Sequence, residues 1–166
     1  SIRRRQRQMC IRDRWKYYSD HNGFKNIAVT SIIGYGKYLF VATDGEGLYR
    51  FDTERETFQK EYLVTSYLSN RIYDIEGYNN ELYIATEGGL IIKNVVTGKT
   101  QHYNTLKGLK HNTIYEIEIL KDKTLVLGSH SNELIYIKDG EISFELIEDL
   151  PQLMDIVNID IDKDGS

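Results

Sequence analysis

The sequence predicts an all-β fold made of repeated four-stranded sheets. The pentapeptide at 39–43 (LFVAT) recurs at 82–86 (LYIAT) and at 125–129 (LVLGS), and both steps are 43 residues. The chain contains 13 glycines and 13 tyrosines but a single proline, a composition that favours strands joined by tight turns. No window sustains the i, i+3, i+4, i+7 apolar stripe of an amphipathic helix. Repetition and composition therefore both indicate β structure.

Each repeat contains four short strands in a fixed order. A first apolar strand lies about thirteen residues upstream of the small residue in each pentapeptide, at 29–32, 72–75 and 114–117. The pentapeptide is the second strand, apolar along its length as expected for a strand buried on both faces. Third strands follow at 47–52, 89–93 and 133–137, and fourth strands end at Tyr62, Tyr103 and Ile147. Glycine, asparagine and aspartate between them supply the turns.

Four strands in about 43 residues are typical of a β-propeller blade, which spans roughly 40–50 residues. We assign 15–166 to a β-propeller fragment of about three and a half blades, with repeats at 19–62, 63–103 and 104–147 and a partial repeat at 148–166. Closed propellers contain about four to eight blades. We therefore expect the missing propeller blades of the same chain to complete the ring, and 15–18 to be the closing strand of a preceding blade.

Residues 1–14 differ in charge from the rest of the chain. They hold six of the 21 basic residues and one acid, so the remainder carries a net charge of −9 against −4 for the whole. A nucleic-acid or localisation patch, a twin-arginine signal and a lipoprotein cysteine are alternatives, but the apolar region of an export signal is missing. Residues 4–13 match one reading frame of a common transposon-type sequencing adapter. We interpret 1–14 as an adapter-derived or foreign segment outside the fold.

The order of residues within each copy carries a family resemblance. Residues 68–90 run apolar-Ser-Asn-x-Ile-x-x-Ile, a turn, Leu-Tyr-Ile-Ala-Thr and Gly-Gly-Leu, and 24–52 are similar. This order resembles the two-component regulator propeller repeat. The third copy departs from it at 129–133, and Phe40, Tyr83 or Val126 stands in place of the usual tryptophan of the second strand.

The resemblance implies a periplasmic sensor, the extracytoplasmic part of a hybrid two-component histidine kinase. The expected ligand is a carbohydrate or another polar small molecule, and the expected module is not an enzyme. Contact with the membrane is expected only through downstream segments, and the full-length receptor could be dimeric. A protein-interaction propeller of a secretion or surface-assembly component is the alternative, followed by a propeller lyase or hydrolase. Without residues 1–14 the chain has a net negative charge, which argues against binding of nucleic acid.

Two kinds of loop are expected on one face of such a propeller: the loop that enters each first strand and the loop that leaves each second strand. These loops surround the central channel, where propellers usually bind ligands. We predict a ligand site formed by Asp44, Tyr67, Arg71, Glu87, His111 and His130. The alternative is that these are ordinary solvated loop residues.

Two further motifs resemble binding loops but are interpreted as turns. Residues 160–165 match the D-x-D-x-D-G opening of a calcium loop, yet they align with the first hairpin of the third copy. Residues 98–100 resemble the end of a phosphate-binding loop, but Lys93 stands where that loop needs glycine. The four histidines lack metal-ligand spacing, and no nucleophile–base set is evident. The sequence therefore predicts neither a cofactor nor a metal.

Overall fold

Three four-stranded antiparallel sheets follow one another along the chain, each with its strands in sequence order. The first contains β1 (Val29–Tyr35), β2 (Tyr38–Thr43), β3 (Leu48–Asp52) and β4 (Thr57–Glu61). The second contains β5 (Ile72–Tyr78), β6 (Glu81–Thr86), β7 (Gly89–Asn94) and β8 (Thr100–Tyr103). The third contains β9 (Ile114–Ile119), β10 (Leu125–Ser129), β11 (Glu133–Lys138) and β12 (Glu141–Leu146).

The computed structural model describes residues 16–25, 27–63, 67–148 and 154–160, excluding the side chains of Tyr67 and Leu68. The foreign-segment interpretation of 1–14 concerns residues outside these ranges and stays a prediction. Most of the calcium-like motif at 160–165 also lies outside them. In the described part of the chain, no helix is long and apolar enough to cross a membrane.

The sheets pack face to face as blades, and we name them blades 1, 2 and 3. The first strand β1 contacts β5, and β5 contacts β9, so the first strands lie together on the inner side. One apolar cluster joins blades 1 and 2 and includes Phe40 and Leu82. A second joins blades 2 and 3 and includes Tyr83 and Leu125. This arrangement confirms the predicted propeller fold.

The second strands are the most buried of each blade, as predicted. From its third residue onward β2 is buried, and β10 is buried throughout. Gly128 occupies the position at which every second strand has a small residue. A Cβ on Gly128 would clash with the carbonyl oxygen of Ile156. The backbone N–H of Ile156 donates to the Ser129 carbonyl at 3.0 Å, so the fourth copy begins packed against blade 3.

Turn chemistry fixes the hairpins. Asp139 and Gly140 have φ values of 50° and 87° between β11 and β12, the left-handed pair that a two-residue hairpin requires. Gly98, with φ 73°, closes the turn between β7 and β8 by donating its N–H to the Asn94 carbonyl at 2.9 Å. Residues 98 and 99 therefore complete a hairpin turn, and Thr100 begins β8.

The closing strand expected at 15–18 is not formed over its described residues in this structure, and its assignment to a preceding blade stays a prediction. Residues 16–19 form no strand, because they have no sheet partner among the described residues. Tyr18 instead packs its ring edge-on against Phe51 and Phe58, with centroids 5.0 and 5.7 Å apart. It therefore covers part of blade 1 without extending a sheet.

Candidate functional site

Each first strand carries a β-bulge directly after its first residue. The register shifts leave one extra residue in each blade: Thr30 in β1, Tyr73 in β5 and Tyr115 in β9. A bulge bends its strand and redirects the extra side chain. In blades 2 and 3 the redirected side chain is a tyrosine, at the end of the strand where the candidate loops lie.

The two predicted kinds of loop do meet at one end of the blades. Asp44 and Glu87 immediately follow β2 and β6, and Arg71 immediately precedes β5. The N–H of Asp44 donates to the Ala28 carbonyl, and the N–H of Glu87 donates to the Arg71 carbonyl, each at 3.1 Å. Asp44 and Arg71 also form an isolated β-bridge between blades 1 and 2. The backbone therefore sets these side chains side by side.

An arginine lies between two carboxylates on this face. Nε of Arg71 lies 2.7 Å from Oδ1 of Asp44, and a terminal nitrogen of Arg71 lies 3.7 Å from Oε2 of Glu87. The hydrogen bond to Asp44 raises the pKa of Arg71, and the charge of Glu87 adds to this effect. All three side chains remain between a third and a half exposed. Their polar atoms are therefore within reach of a ligand.

A second polar group lies on blade 3. Nδ1 of His130 lies 2.7 Å from Oδ1 of Asp155, and the hydroxyl of Tyr115 donates to the other oxygen of Asp155 at 3.2 Å. The ring of His111 stands nearly perpendicular to that of His130, with 6.1 Å between centroids. Both imidazoles belong to exposed residues.

Two tyrosines connect these groups. The rings of Tyr73 and Tyr115 pack edge-to-face, with 5.0 Å between centroids and 68° between planes. Burial raises the pKa of both hydroxyls, and the charge of Glu87 contributes to both shifts. The tyrosines thus lie between the arginine of blade 2 and the histidines of blade 3.

We call the combined set the rim cluster. Its members come from three blades and the start of the fourth copy: Asp44, Arg71, Tyr73, Glu87, His111, Tyr115, His130 and Asp155. It brings together five of the six residues that the sequence predicts. The sixth, Tyr67, lies in the 3-10 turn Tyr67–Asn70, but its side chain is outside the described part of the structure.

Tyr73, Tyr115 and Asp155 are the members that sequence reasoning missed. A signal exists for each: both tyrosines follow the first residue of an inner strand, and Asp155 precedes Ile156 as Arg71 precedes Ile72. The signal for the tyrosines becomes clear only with the bulge, because an ordinary strand would direct them into the interface between blades.

Carboxylates occupy the inner strands below the rim cluster. Oδ2 of Asp74 accepts the N–H of Ile117 at 3.2 Å, which joins β5 to β9. Burial, followed by the charges of Asp74 and Glu118, raises the pKa of Glu116 to about 7. Burial also raises the pKa values of Glu76 and Glu118. The inner wall is therefore acidic and partly desolvated.

The rim cluster offers hydrogen-bond donors, acceptors and aromatic rings on one face of the blades. Such a set can bind a hydroxylated or otherwise polar small molecule. Within the described ranges, no three His, Cys, Asp or Glu side chains are grouped to hold a metal ion.

Solved structures share this fold. The extracellular domain of BT3049, assigned to a hybrid two-component system of B. thetaiotaomicron, matches with a TM-score of 0.70 and 22% identity over 83% of this chain. The extracellular domain of BT4673 from the same organism, assigned to a one-component system, matches with a TM-score of 0.65 and 21% identity over 82% of this chain. The WD40 propeller domain of Doa1 matches with a TM-score of 0.66 and 13% identity over 86% of this chain.

These likenesses confirm, at the level of the fold, the resemblance seen in the repeat. The chain spans 21% and 18% of the two bacterial domains and 47% of the Doa1 domain. No family model matches the sequence, and no curated protein matches it.

Proposed function

We propose that this chain is part of the extracytoplasmic, ligand-sensing propeller of a two-component receptor of the hybrid type. The observation that carries the proposal is the rim cluster, in which consecutive blades place polar side chains and two tyrosine rings on one exposed surface. One structural neighbour is the extracellular domain of a system assigned as hybrid two-component, and another is that of a system assigned as one-component. A periplasmic location and a kinase in the same polypeptide are parts of this proposal.

The proposed ligand is a carbohydrate or a similar polar small molecule. Arginine, histidine and carboxylate groups can hydrogen-bond hydroxyls, and a tyrosine ring can lie against the apolar face of a sugar. Arg71 already has two carboxylate neighbours, at 2.7 and 3.7 Å. Its positive charge is therefore largely compensated, which favours a neutral ligand over a strongly anionic one.

A site shared between blades suits a sensor. Asp44 belongs to blade 1, Arg71 to blade 2, His130 to blade 3, and Asp155 to the fourth copy. A ligand that contacts several of them favours one arrangement of the blades over others. Ligand binding would thereby be coupled to the geometry of the propeller. For this reason we propose a binding module and not an enzyme.

Thermal unfolding of the whole chain with single oligosaccharides tests the binding proposal. The probes are maltotetraose and xylotetraose, which are neutral, and a galacturonan tetramer and a heparin tetrasaccharide, which are acidic. Binding to the native state raises the melting temperature by an amount that grows with the logarithm of the ratio of ligand concentration to Kd. We expect a rise with a neutral probe that is lost in the variant Arg71→Ala. A rise that persists in this variant would place the ligand elsewhere.

Sequencing the DNA that flanks this coding region tests the sensor proposal separately. We expect a transmembrane helix followed by a histidine kinase in the same reading frame. A gene that encodes a signal peptide and a propeller, with no membrane span, would overturn the receptor role. A C-terminal sorting domain would favour the protein-interaction alternative.

A further inference from the structure

We propose that the saccharide bound at the rim cluster carries a protonated amine, and that Glu87 holds this amine at the boundary between blades 2 and 3. The inference rests on the proposed ligand-binding function and specifies its ligand class as amino sugars. Two carboxylates compensate the charge of Arg71, which disfavours an acidic saccharide. The boundary between blades 2 and 3 further favours a basic saccharide over a neutral one.

The boundaries between blades can be compared at two equivalent positions: the residue that follows a second strand, and the residue that precedes the first strand of the next copy. At the boundary between blades 1 and 2 these residues are Asp44 and Arg71, whose side chains lie 2.7 Å apart. At the boundary between blade 3 and the fourth copy they are His130 and Asp155, also 2.7 Å apart. Both boundaries therefore join complementary polar side chains.

The boundary between blades 2 and 3 has no such pair. Its equivalent residues are Glu87, which follows β6, and Thr113, which precedes β9 and carries no charge. Among the described residues, Glu87 pairs only with Arg71 of its own blade, at 3.7 Å. Arg71 is itself held at 2.7 Å by Asp44. In the described part of the chain, the Glu87 carboxylate therefore has no close cation, and its side chain is 36% exposed.

The tyrosine pair lies at this same boundary. Tyr73 belongs to blade 2 and Tyr115 to blade 3, and their ring centroids are 5.0 Å apart. Burial raises the pKa of both hydroxyls, and the charge of Glu87 contributes to both shifts, so its carboxylate acts on both residues. An ammonium group is attracted by a carboxylate and by the face of a tyrosine ring within about 6 Å. Glu87 and a tyrosine ring together offer both contacts to a protonated amine.

Carboxylates of the inner strands add to the negative potential at this boundary. Asp74 and Glu116 directly follow the two tyrosines in the sequence, and Asp74 joins blades 2 and 3 by accepting the N–H of Ile117 at 3.2 Å. The equivalent residue of blade 1 is the uncharged Ser31. These carboxylates therefore belong to blades 2 and 3 and are not a general feature of the repeat. Their summed field favours a cationic ligand.

Titration calorimetry of the whole chain with two matched tetrasaccharides tests the inference. The probes are a β-1,4-linked glucosamine tetramer, at a pH at which its amines are protonated, and cellotetraose, which has a hydroxyl in place of each amine. Hydrogen bonds to charged groups contribute more than those between neutral groups. We therefore expect the glucosamine tetramer to bind about 10-fold more tightly or better. Equal affinities, or tighter binding of cellotetraose, would overturn the inference.

Glu87→Gln keeps the size of the side chain and removes its charge. It should lower the affinity for the glucosamine tetramer by about 10-fold or more, and should change the affinity for cellotetraose by less than about threefold. Glu141→Gln, on the exposed start of β12, removes the same charge outside the rim cluster and should change neither affinity. A preference for the glucosamine tetramer that persists in Glu87→Gln would contradict the role of Glu87.

Failure of the inference can be distinguished from failure of the proposed function. If the two tetramers bind equally and Arg71→Ala abolishes the binding of both, the ligand-binding function stands and the amine inference is wrong. If neither tetramer nor any other neutral probe binds, both are wrong. Tetralysine is a third probe: binding as tight as that of the glucosamine tetramer would indicate a general attraction of cations and would overturn the assignment to amino sugars.

Discussion

Nζ of Lys93 lies 3.0 Å from Oε2 of Glu61, across the boundary between blades 1 and 2, and the two side chains are only 10% and 14% exposed. Lys93 also donates to the carbonyl oxygen of Tyr62 at 3.1 Å. The equivalent positions in blades 1 and 3 hold the apolar residues Phe51 and Ile137, each opposite the leucine of the second strand. One interface between blades therefore contains an ion pair at a position that is otherwise apolar.

Removal of one partner of this pair should destabilise the chain. Loss of one member of a buried ion pair costs about 3–5 kcal/mol, but Glu61 keeps a second cation, Arg50, at 3.3 Å. We therefore expect Lys93→Met to lower the free energy of unfolding by about 1–3 kcal/mol in urea titrations. The double variant Lys93→Met with Glu61→Leu should recover most of the lost free energy of unfolding, because both charges of the pair are then removed.

Lys60→Met is the matched control for this prediction. Lys60 also pairs with a glutamate, Glu46, at 3.2 Å, but its side chain is 40% exposed. Exposed pairs contribute about 0–1 kcal/mol, so its effect should be within about 0.5 kcal/mol. Equal effects of Lys60→Met and Lys93→Met would show that burial of the pair is energetically unimportant.

The packing of the fourth copy depends on the absence of a side chain at Gly128. We expect Gly128→Ala to displace Ile156, because the new methyl group would occupy the position of the Ile156 carbonyl oxygen. Hydrogen exchange at the Ile156 amide, which donates to Ser129, should become faster. Gly34→Ala should leave this exchange unchanged, since its nearest contact is an ordinary 3.7 Å. Unchanged exchange in Gly128→Ala would show that the segment is held by other contacts.

Stability should depend on pH through the inner carboxylates. Burial raises the pKa of Glu116 to about 7, so the native state favours the protonated form more than the unfolded state does. This contribution is fully present below the ordinary glutamate pKa and is lost as pH rises toward about 7. We expect the free energy of unfolding to fall between pH 5 and 7.5 by about 1–2 kcal/mol, after allowance for partial solvent exposure.

Glu116→Gln should remove most of this pH dependence and should stabilise the chain at pH 7.5. The control is Glu141→Gln, on the exposed start of β12, which should leave the pH profile unchanged. The assignment would be wrong if Glu116→Gln retained the full decline between pH 5 and 7.5.

The sequence predicts the fold well because the determinants of a blade recur at fixed spacing. The second strands, the small position at Ala42, Ala85 and Gly128, and the turn at Asp139-Gly140 each require a particular residue type locally. The loops around Asp44, Arg71 and His130 could be placed on one face for the same reason. Their position follows from strand order, which the repeat defines.

Contacts between side chains of neighbouring blades could not be predicted from the sequence. Lys93 and Glu61 have no fixed spacing that marks them as partners, because they belong to different copies. Asp155 joins the rim cluster only because the fourth copy packs against blade 3. Such pairs depend on the angle between blades, which a single repeat does not encode.

The rim cluster yields the most direct functional prediction. We expect Arg71→Ala and His111→Ala each to weaken binding of a neutral tetrasaccharide by about 10-fold or more, the usual effect of losing a hydrogen bond to a charged or polar group in a site. The melting temperature without ligand should fall by less than about 2 °C, because both residues are exposed. Titration calorimetry and thermal unfolding measure the two quantities on the same samples.

Arg55→Ala, in the exposed turn between β3 and β4, is the control and should change neither the affinity nor the melting temperature. If Arg71→Ala instead lowered stability in parallel with affinity, the ion pair between Arg71 and Asp44 would serve to stabilise the interface between blades 1 and 2. The ligand site would then lie elsewhere.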